Sequence, residues 1–478
     1  MALLSKSKYL IGLQCPKYFW IMLHESNKIS EHGLVTQQRF DEGHKVGQFA
    51  KKLFPEGIDI PEGNFKENLE KSKELIKQRK PLFEVAFMVD NLYSRADILV
   101  PVGKDEWDII EVKSATKIKE VNIHDVAFQK HVYEKAGLKI RKCFLLHINN
   151  KFVKKGEINP EEFFTKEDIT VQVYLAIEGI ETEISNILSI MKADVCPDID
   201  IGKHCRDPYG CPLEDQCWGF LPEASVFDLY RGGAKSFQLF EDGVVNLNDI
   251  PETFKLNDKQ GIQRDCDINN EIHVNKGKIK RFLATLQYPL YYFDFETFAT
   301  AIPLYDGTKS YQQIPFQFSL HVDDGKEIKH YEFLANPGDE RKILLEEMKK
   351  VLGDSGSIIV FYQSFEIGRL KELAEAFPEY KKWVNGIIKR IVDLIVPFQN
   401  FDYYNPKQKG SCSLKKVLPA MTGKGYEGLE ISDGETASIL FTKDGLNPKV
   451  RKDLLKYCEL DTEAMIWMVD ELNKLIKE

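Results

Sequence analysis

The run Leu290-Tyr-Tyr-Phe-Asp-Phe-Glu-Thr-Phe298 leaves this chain few ways to fold. Its aromatic and apolar side chains read as a buried strand, and a period of two places Asp294 and Glu296 on one face. Two like charges then share one spot, which is costly unless a cation neutralises them. Carboxylate oxygens are the ligands that hard magnesium or manganese ions prefer. Downstream, Ile358-Ile-Val-Phe361 has the pattern of another buried strand, and the segment from Phe365 is expected to turn helical. That puts Glu366 at a strand-to-helix junction, a common ligand position in open α/β sheets. Residues 450–465 have helical periodicity, so Tyr457 and Asp461 lie on one face. The strand pair, the junction acid and the helical acid are expected to converge.

Asp294-x-Glu296, Glu366 after a strand and Tyr457-x-x-x-Asp461 together resemble the DnaQ-like, or DEDD, exonucleases of the ribonuclease-H-like fold. The match is to the subclass whose last motif is Tyr-x-x-x-Asp, and it covers the last part of the chain. The resemblance implies that Asp294, Glu296, Glu366 and Asp461 hold two divalent ions, Mg2+ or Mn2+, that Tyr457 positions a water, and that 3′ ends are trimmed. Glu366 departs from the usual Asp of the second motif by one methylene. Asp393, in Arg-Ile-Val-Asp-Leu, reads either as an auxiliary acid or as a cap.

The N-terminal half carries a second constellation. Tyr93-Ser-Arg-Ala-Asp97-Ile-Leu-Val reads as a strand, Gly103-Lys-Asp-Glu as a turn, and Trp107-Asp-Ile-Ile-Glu111-Val-Lys113 as the partner strand. Glu111 and Lys113 share a face, with Asp97 across from them. A metal held by Asp97 and Glu111 would polarise a phosphodiester, while Lys113 steadies the nucleophile or the developing charge. Gln129 and Tyr133, one helical turn apart, are expected to face the same site. Asp, Glu-x-Lys and Gln-x-x-x-Tyr in this order resemble the RecB-like branch of the PD-(D/E)xK nucleases. That branch often has Gly-x-x-x-His upstream, where Gly43-His-Lys-Val-Gly47 ends in Gly; His44 and Glu84 are the stand-ins considered.

Cys205, Cys211 and Cys217 crowd a short Pro-containing segment, and Cys15 lies far upstream. One early and three late cysteines resemble the iron-sulfur clasp of RecB-like nucleases, which implies a 4Fe-4S cluster with a structural role. The first late interval is longer than usual there, so a tetrahedral zinc site is the alternative. Cys196 is a substitute ligand; Cys143, Cys266, Cys412 and Cys458 read as isolated thiols. The opening Leu10-Ile-Gly-Leu-Gln-Cys-Pro-Lys17 and the stretch from Tyr311 to His321 extend the resemblance along nearly the whole chain. It is to a prokaryotic family, with no settled substrate, that joins an iron-sulfur RecB-like domain to a ribonuclease-H-like exonuclease domain.

The expected architecture is therefore α/β throughout, the usual outcome for 478 residues being two or three domains. A RecB-like nuclease domain with the cysteine cluster spans residues 1–225, a short helical connector 226–285, and a DnaQ-like exonuclease domain 286–478. The apolar runs are too short to span a bilayer, and the start, broken by Lys6, Lys8, Gln14 and Lys17, does not read as a signal peptide. Nine cysteines without such a signal fit a reducing, cytoplasmic compartment. A net charge of −9 does not exclude nucleic acid, because catalytic carboxylates contribute to it and phosphate binding depends on local basic stripes. Lys151, Lys154 and Lys155, residues 276–281, and Lys407, Lys409, Lys415 and Lys416 are such stripes, although each alone reads as a solvated face. The partner expected is nucleic acid, single-stranded DNA first. The competing expectations are a nucleic-acid-binding iron-sulfur scaffold with inactive sites and, with less support, a redox sensor.

Overall fold

A computed structural model describes residues 3–30, 33–60 and 64–477. The chain is mixed α/β and divides into two units, one made of Met1–Gly219 with Thr300–Tyr311, the other of Phe220–Ala299 with Gln312–Glu478. The short helices of the expected connector, among them Ala234–Glu241, Asp258–Asn269 and Lys276–Leu283, fall within the second unit. Among the described residues no helix is long and apolar enough to cross a membrane.

The first unit is built on seven strands: β1 (Leu4–Ser5), β2 (Ile58–Asp59), β3 (Leu82–Val89), β4 (Leu92–Val102), β5 (Glu106–Lys113), β6 (Lys139–Ile148) and β7 (Phe164–Asp168). They lie in the order β2-β3-β4-β5-β6-β7, with β1 added alongside β4. β3, β4 and β5 form an antiparallel meander, after which the Glu120–Lys135 helix crosses over to β6, parallel to β5. Ile109 joins one core with Val126, Phe128 and Val132 of that helix, whereas Ile110 joins Ile98 and Leu146 on the opposite face. Burial on both faces explains why β5 is a nearly unbroken apolar run, and why its one buried acid on the helix side, Glu111, needs partners there.

The second unit contains β8 (His273–Val274), β9 (Leu290–Phe298), β10 (Ile314–Asp323), β11 (Ile328–Leu334), β12 (Ser357–Val360), β13 (Ile391–Asp393) and β14 (Tyr403–Tyr404). Its main sheet runs β11-β10-β9-β12-β13. β10 is antiparallel to both β9 and β11, while β12 is parallel to both β9 and β13. Phe293 and Phe295 pack with Phe318, Leu344 and Leu370 on one face; Leu290 and Tyr292 pack with Met465 and Met468 of the Pro448–Lys477 helix on the other. Strand alternation carries Asp294 and Glu296 onto the face of that long helix, as the period of two predicts.

Candidate metal centres

In the second unit the four expected carboxylates come from three elements. Asp294 and Glu296 project from β9, buried Glu366 sits in the first turn of the Gln363–Ala376 helix, and Asp461 lies on the inner side of the Pro448–Lys477 helix. Burial pushes all four carboxyls up, Glu366 to about 8 and Asp461 to about 6. For Asp294 the charges of Glu366, Asp461 and Glu296 add to burial, in that order. Glu366 Oε2 is buried without a hydrogen-bond partner. Carboxylate oxygens converging from three elements, one of them without a hydrogen-bond partner, are a donor set that fits a pair of hard divalent ions.

Three neighbours escape sequence reasoning. Tyr426 donates its hydroxyl to Asp461 Oδ1, and Tyr457 also hydrogen-bonds Asp461. Lys415, which reads in the sequence as part of a surface stripe, holds its ammonium 5.2 Å from the Tyr457 ring centre and 5.5 Å from that of Tyr426. Its charge opposes the upward shifts of Asp294, Glu296 and Asp461. Cys458 lies with Asp294 and Glu296 in a group whose ligand atoms are all within 4.8 Å. Its thiol is held well above the ordinary range, by burial first and then by the acids, and so stays protonated.

Asp393 resolves as a cap. Its carboxylate accepts from the backbone N–H of Tyr362 and Gln363, both at 2.9 Å, and of Ile395 at 3.2 Å. Tyr362 has φ +82°, a costly conformation for a bulky residue, and Asp393 holds it at the turn that aims Glu366 inward. Asp393→Ala is expected to destabilise the second unit by about 1–2 kcal/mol and to weaken metal binding at the acid cluster. Thermal melts with and without Mn2+ check this; an unchanged Mn2+ response would make Asp393 irrelevant to Glu366.

In the first unit, register carries Asp97 of β4 to the level of Glu111 on β5, where Asp97 Oδ2 accepts from Val112 N–H at 2.8 Å. Lys113 Nζ donates to Glu111 Oε1 at 2.7 Å and to Asp125 Oδ2 at 2.6 Å. Gln129 Nε2 donates to Glu111 Oε2 at 2.8 Å and Asp125 Oδ1 at 2.9 Å. Lys6, from the Lys6–Gln14 helix, donates to Glu111 Oε1 at 2.8 Å. Asp125 and Lys6 are thus members that no sequence spacing signals. Burial, with Asp125 and Asp97, pushes Glu111 up to about 7 against the pull of Lys113 and Lys6. Burial opposes the charge on both lysines, but Asp125, Glu111 and Asp97 outweigh it and hold both ammoniums above the usual range.

Tyr133 takes a different place from the one expected. Its hydroxyl donates to Val85 O and accepts from Ala96 N–H, both at 2.7 Å, so it is used up between β3 and β4. The ladder is interrupted there because Glu84 adopts φ +57°, and Tyr133 fills the gap. Glu84 itself pairs with Arg95 at 2.9 Å, and His44 is not among the residues that bond to these carboxylates.

Cys15, Cys205, Cys211 and Cys217 line one small cavity, with His204 and Tyr18 beside them; Cys196 is not in its lining. Burial raises the Cys15 thiol and pushes Cys211 up to about 11, with the other thiols adding to the shift. Four cysteine sulfurs lining one small cavity suit a metal or cluster that stabilises thiolates.

Residues 291–413 match a family described as a domain of unknown function, DUF2779. The matched span includes Asp294, Glu296, Glu366 and Asp393 and ends before Tyr457 and Asp461. The chain is similar to the protein printed as uncharacterized protein UU173 of Ureaplasma parvum serovar 3, 32% identical over 240 residues, covering 44% of this chain and 35% of that one. It is also similar to uncharacterized protein MG366 of Mycoplasma genitalium, 31% identical over 216 residues, covering 39% and 32%. The chain thus spans about a third of the length of the curated relatives it matches.

Proposed function

We propose that this chain is a divalent-metal-dependent nuclease, with a 3′-end exonuclease site in the second unit and a PD-(D/E)xK site in the first. The observation that carries the reading is the convergence of half-buried Asp294 with buried Glu296, Glu366 and Asp461, from three separate elements. The strand order β11-β10-β9-β12-β13, antiparallel on one side of β9 and parallel on the other, supports a ribonuclease-H-like fold. The antiparallel meander followed by a helix and a parallel strand supports a RecB-like fold for the first unit. The polymer proposed is single-stranded DNA.

When bound by the four carboxylates, two divalent ions would supply Lewis-acid stabilisation to the attacking and leaving oxygens of an in-line displacement. Tyr457, held far above its usual pKa by burial and by Asp461, remains a hydroxyl. It therefore orients a water or Asp461 by hydrogen bonding and does not act as a base. Tyr426 fixes the other side of Asp461, and Lys415 offers a cation to the scissile phosphate. In the first unit Asp97 and Glu111 are the residues that would hold an ion. Gln129 fixes the Glu111 carboxylate, and Lys113 stays cationic to meet developing negative charge. Four cysteine thiolates would hold the 4Fe-4S cluster, or zinc, in a structural role.

A second reading is a nucleic-acid-binding scaffold with inactive sites. It is favoured by Lys6 and Lys113, whose ammoniums both pair with Glu111 and compete with a metal for its carboxylate. The deciding test is Mn2+-dependent digestion of 5′- and 3′-labelled single-stranded DNA and RNA by anaerobically purified wild type, Asp294→Ala and Lys113→Ala protein. Each substitution is expected to erase a different set of products. If either one alone removed all cleavage, the two-site assignment would fail; binding without cleavage by wild type would favour the scaffold.

A further inference from the structure

Away from the four carboxylates, His321 on β10 stands directly opposite His330 on β11. Their rings stack with centres 4.4 Å apart, and Glu459 of the Pro448–Lys477 helix approaches His330 Nδ1 at 3.5 Å. One ligand atom from each of His321, His330 and Glu459 lies within 4.8 Å of the other two.

The hydrogen bonds around the pair fix both tautomers. The Thr462 hydroxyl donates to the Glu459 carbonyl at 2.9 Å, so its proton is committed. Ser319 must then donate to Thr462 Oγ1 across their 2.8 Å contact. With both hydroxyl protons placed, the contacts of His330 Nε2 with Ser319 Oγ and of His321 Nδ1 with Thr462 Oγ1, each 2.9 Å, require the ring N–H to donate. Each imidazole thereby keeps a lone pair on its other nitrogen, His321 Nε2 and His330 Nδ1. A ring N–H held by a second group is the usual support of a metal-binding histidine. Burial, with His330 next, depresses His321 to about 4, so the ring is neutral at physiological pH.

We propose that His321, His330 and Glu459 form a further metal site, selective for a borderline cation of the zinc class, that clamps the β10–β11 hairpin to the helix carrying Asp461. Two imidazoles and one carboxylate suit Zn2+ or Co2+ better than Mg2+ or Mn2+. Bonds of about 2.0–2.1 Å draw tetrahedral ligand atoms to roughly 3.4 Å from one another, so the side chains close on the ion and the stacked rings turn toward it. Glu459 and His330 are partly exposed, which gives the ion a path in. The clamp has a mechanical purpose: β11 is an edge strand with largely exposed side chains. The site is independent of the nuclease reading, because none of its three ligands belongs to the acid cluster.

The test is Co2+ titration of full-length protein in excess Mg2+, with the cysteine site filled, followed by absorption spectroscopy and thermal melts. Wild type is expected to bind one more equivalent of Co2+ than His330→Gln or Glu459→Gln, without new thiolate charge-transfer bands. Zn2+ should raise its Tm, and the two variants should lose that rise and at least tenfold in affinity. Asp294→Asn should keep the extra equivalent, which separates this site from the acid cluster. Equal stoichiometry and affinity in wild type and both variants would overturn the proposal.

Discussion

Asp294→Asn is expected to lower 3′-end hydrolysis by roughly a thousandfold, equivalent to about 4 kcal/mol of lost transition-state stabilisation, while raising the Tm of metal-free protein at pH 8. The two effects have one origin. Folding buries four carboxyls together, so each ionises less readily in the folded chain than in the unfolded one, Glu366 near pH 8 and Asp461 near pH 6. A carboxyl raised in this way binds its proton more tightly when folded. Its contribution therefore favours the fold at low pH and is lost as pH rises from about 4 through about 8. Metal-free protein should accordingly lose on the order of a few kcal/mol between pH 5 and pH 8, seen as a falling Tm for the second unit, and Mn2+ should restore it. The Asp294→Asn substitution removes one charge from the group, so the variant's melt should depend less on pH and respond less to Mn2+. Melts in EDTA across this range decide the matter: a Tm that is flat with pH and indifferent to Mn2+ would remove the case for a metal cage.

How much of this could be read beforehand depends on how local each signal is. β9 is legible because it is buried on both faces, which forces an aromatic run and makes Asp294 and Glu296 conspicuous within it. The β4–β5 hairpin is legible for a similar reason, with Gly103 at φ +54° closing its turn. Lys6 and Asp125 are not legible, since each becomes part of a site only when distant elements fold against Glu111. Tyr426 has no motif around it and matters only through Asp461. Asp393 carries two readings in sequence, and only the N–H groups of Tyr362 and Gln363 decide for the cap. Tyr133 shows the reverse failure. Helical spacing correctly puts it on the side of Gln129, but the irregularity at Glu84 captures its hydroxyl before it can reach the carboxylates. Residues 226–285 read as a short helical connector, yet Ile279 within them joins the core formed by Leu290, Met465 and Leu472. Composition alone does not reveal which core a short helix will complete.

Cys15→Ser is expected to lower the Tm of the first unit by roughly 10 °C and to loosen both N-terminal helices. Cys15 ends the Lys6–Gln14 helix and caps the start of the Pro16–His24 helix, its Sγ accepting from Tyr18 N–H at 3.4 Å. The three cysteines sharing its cavity lie at the far end of the unit's sequence, so a metal joining them closes a loop of about 190 residues. A cross-link over a loop of that size is worth about 5 kcal/mol in chain entropy alone. Protein contacts also cross this seam: Gln14 Nε2 donates to His204 O at 2.8 Å and Tyr209 O at 2.6 Å, Trp20 Nε1 donates to Ala193 O at 2.8 Å, and Trp20 and Ile21 pack with Leu213. The same helix that ends at Cys15 begins with Lys6 on Glu111, so loss of the cross-link should reach the first unit's carboxylates as well. Hydrogen exchange is expected to speed up in both helices of Cys15→Ser protein, and the products lost in Lys113→Ala should also decline. Unchanged exchange, Tm and metal content in Cys15→Ser would mean that these thiols do not hold a shared structural metal.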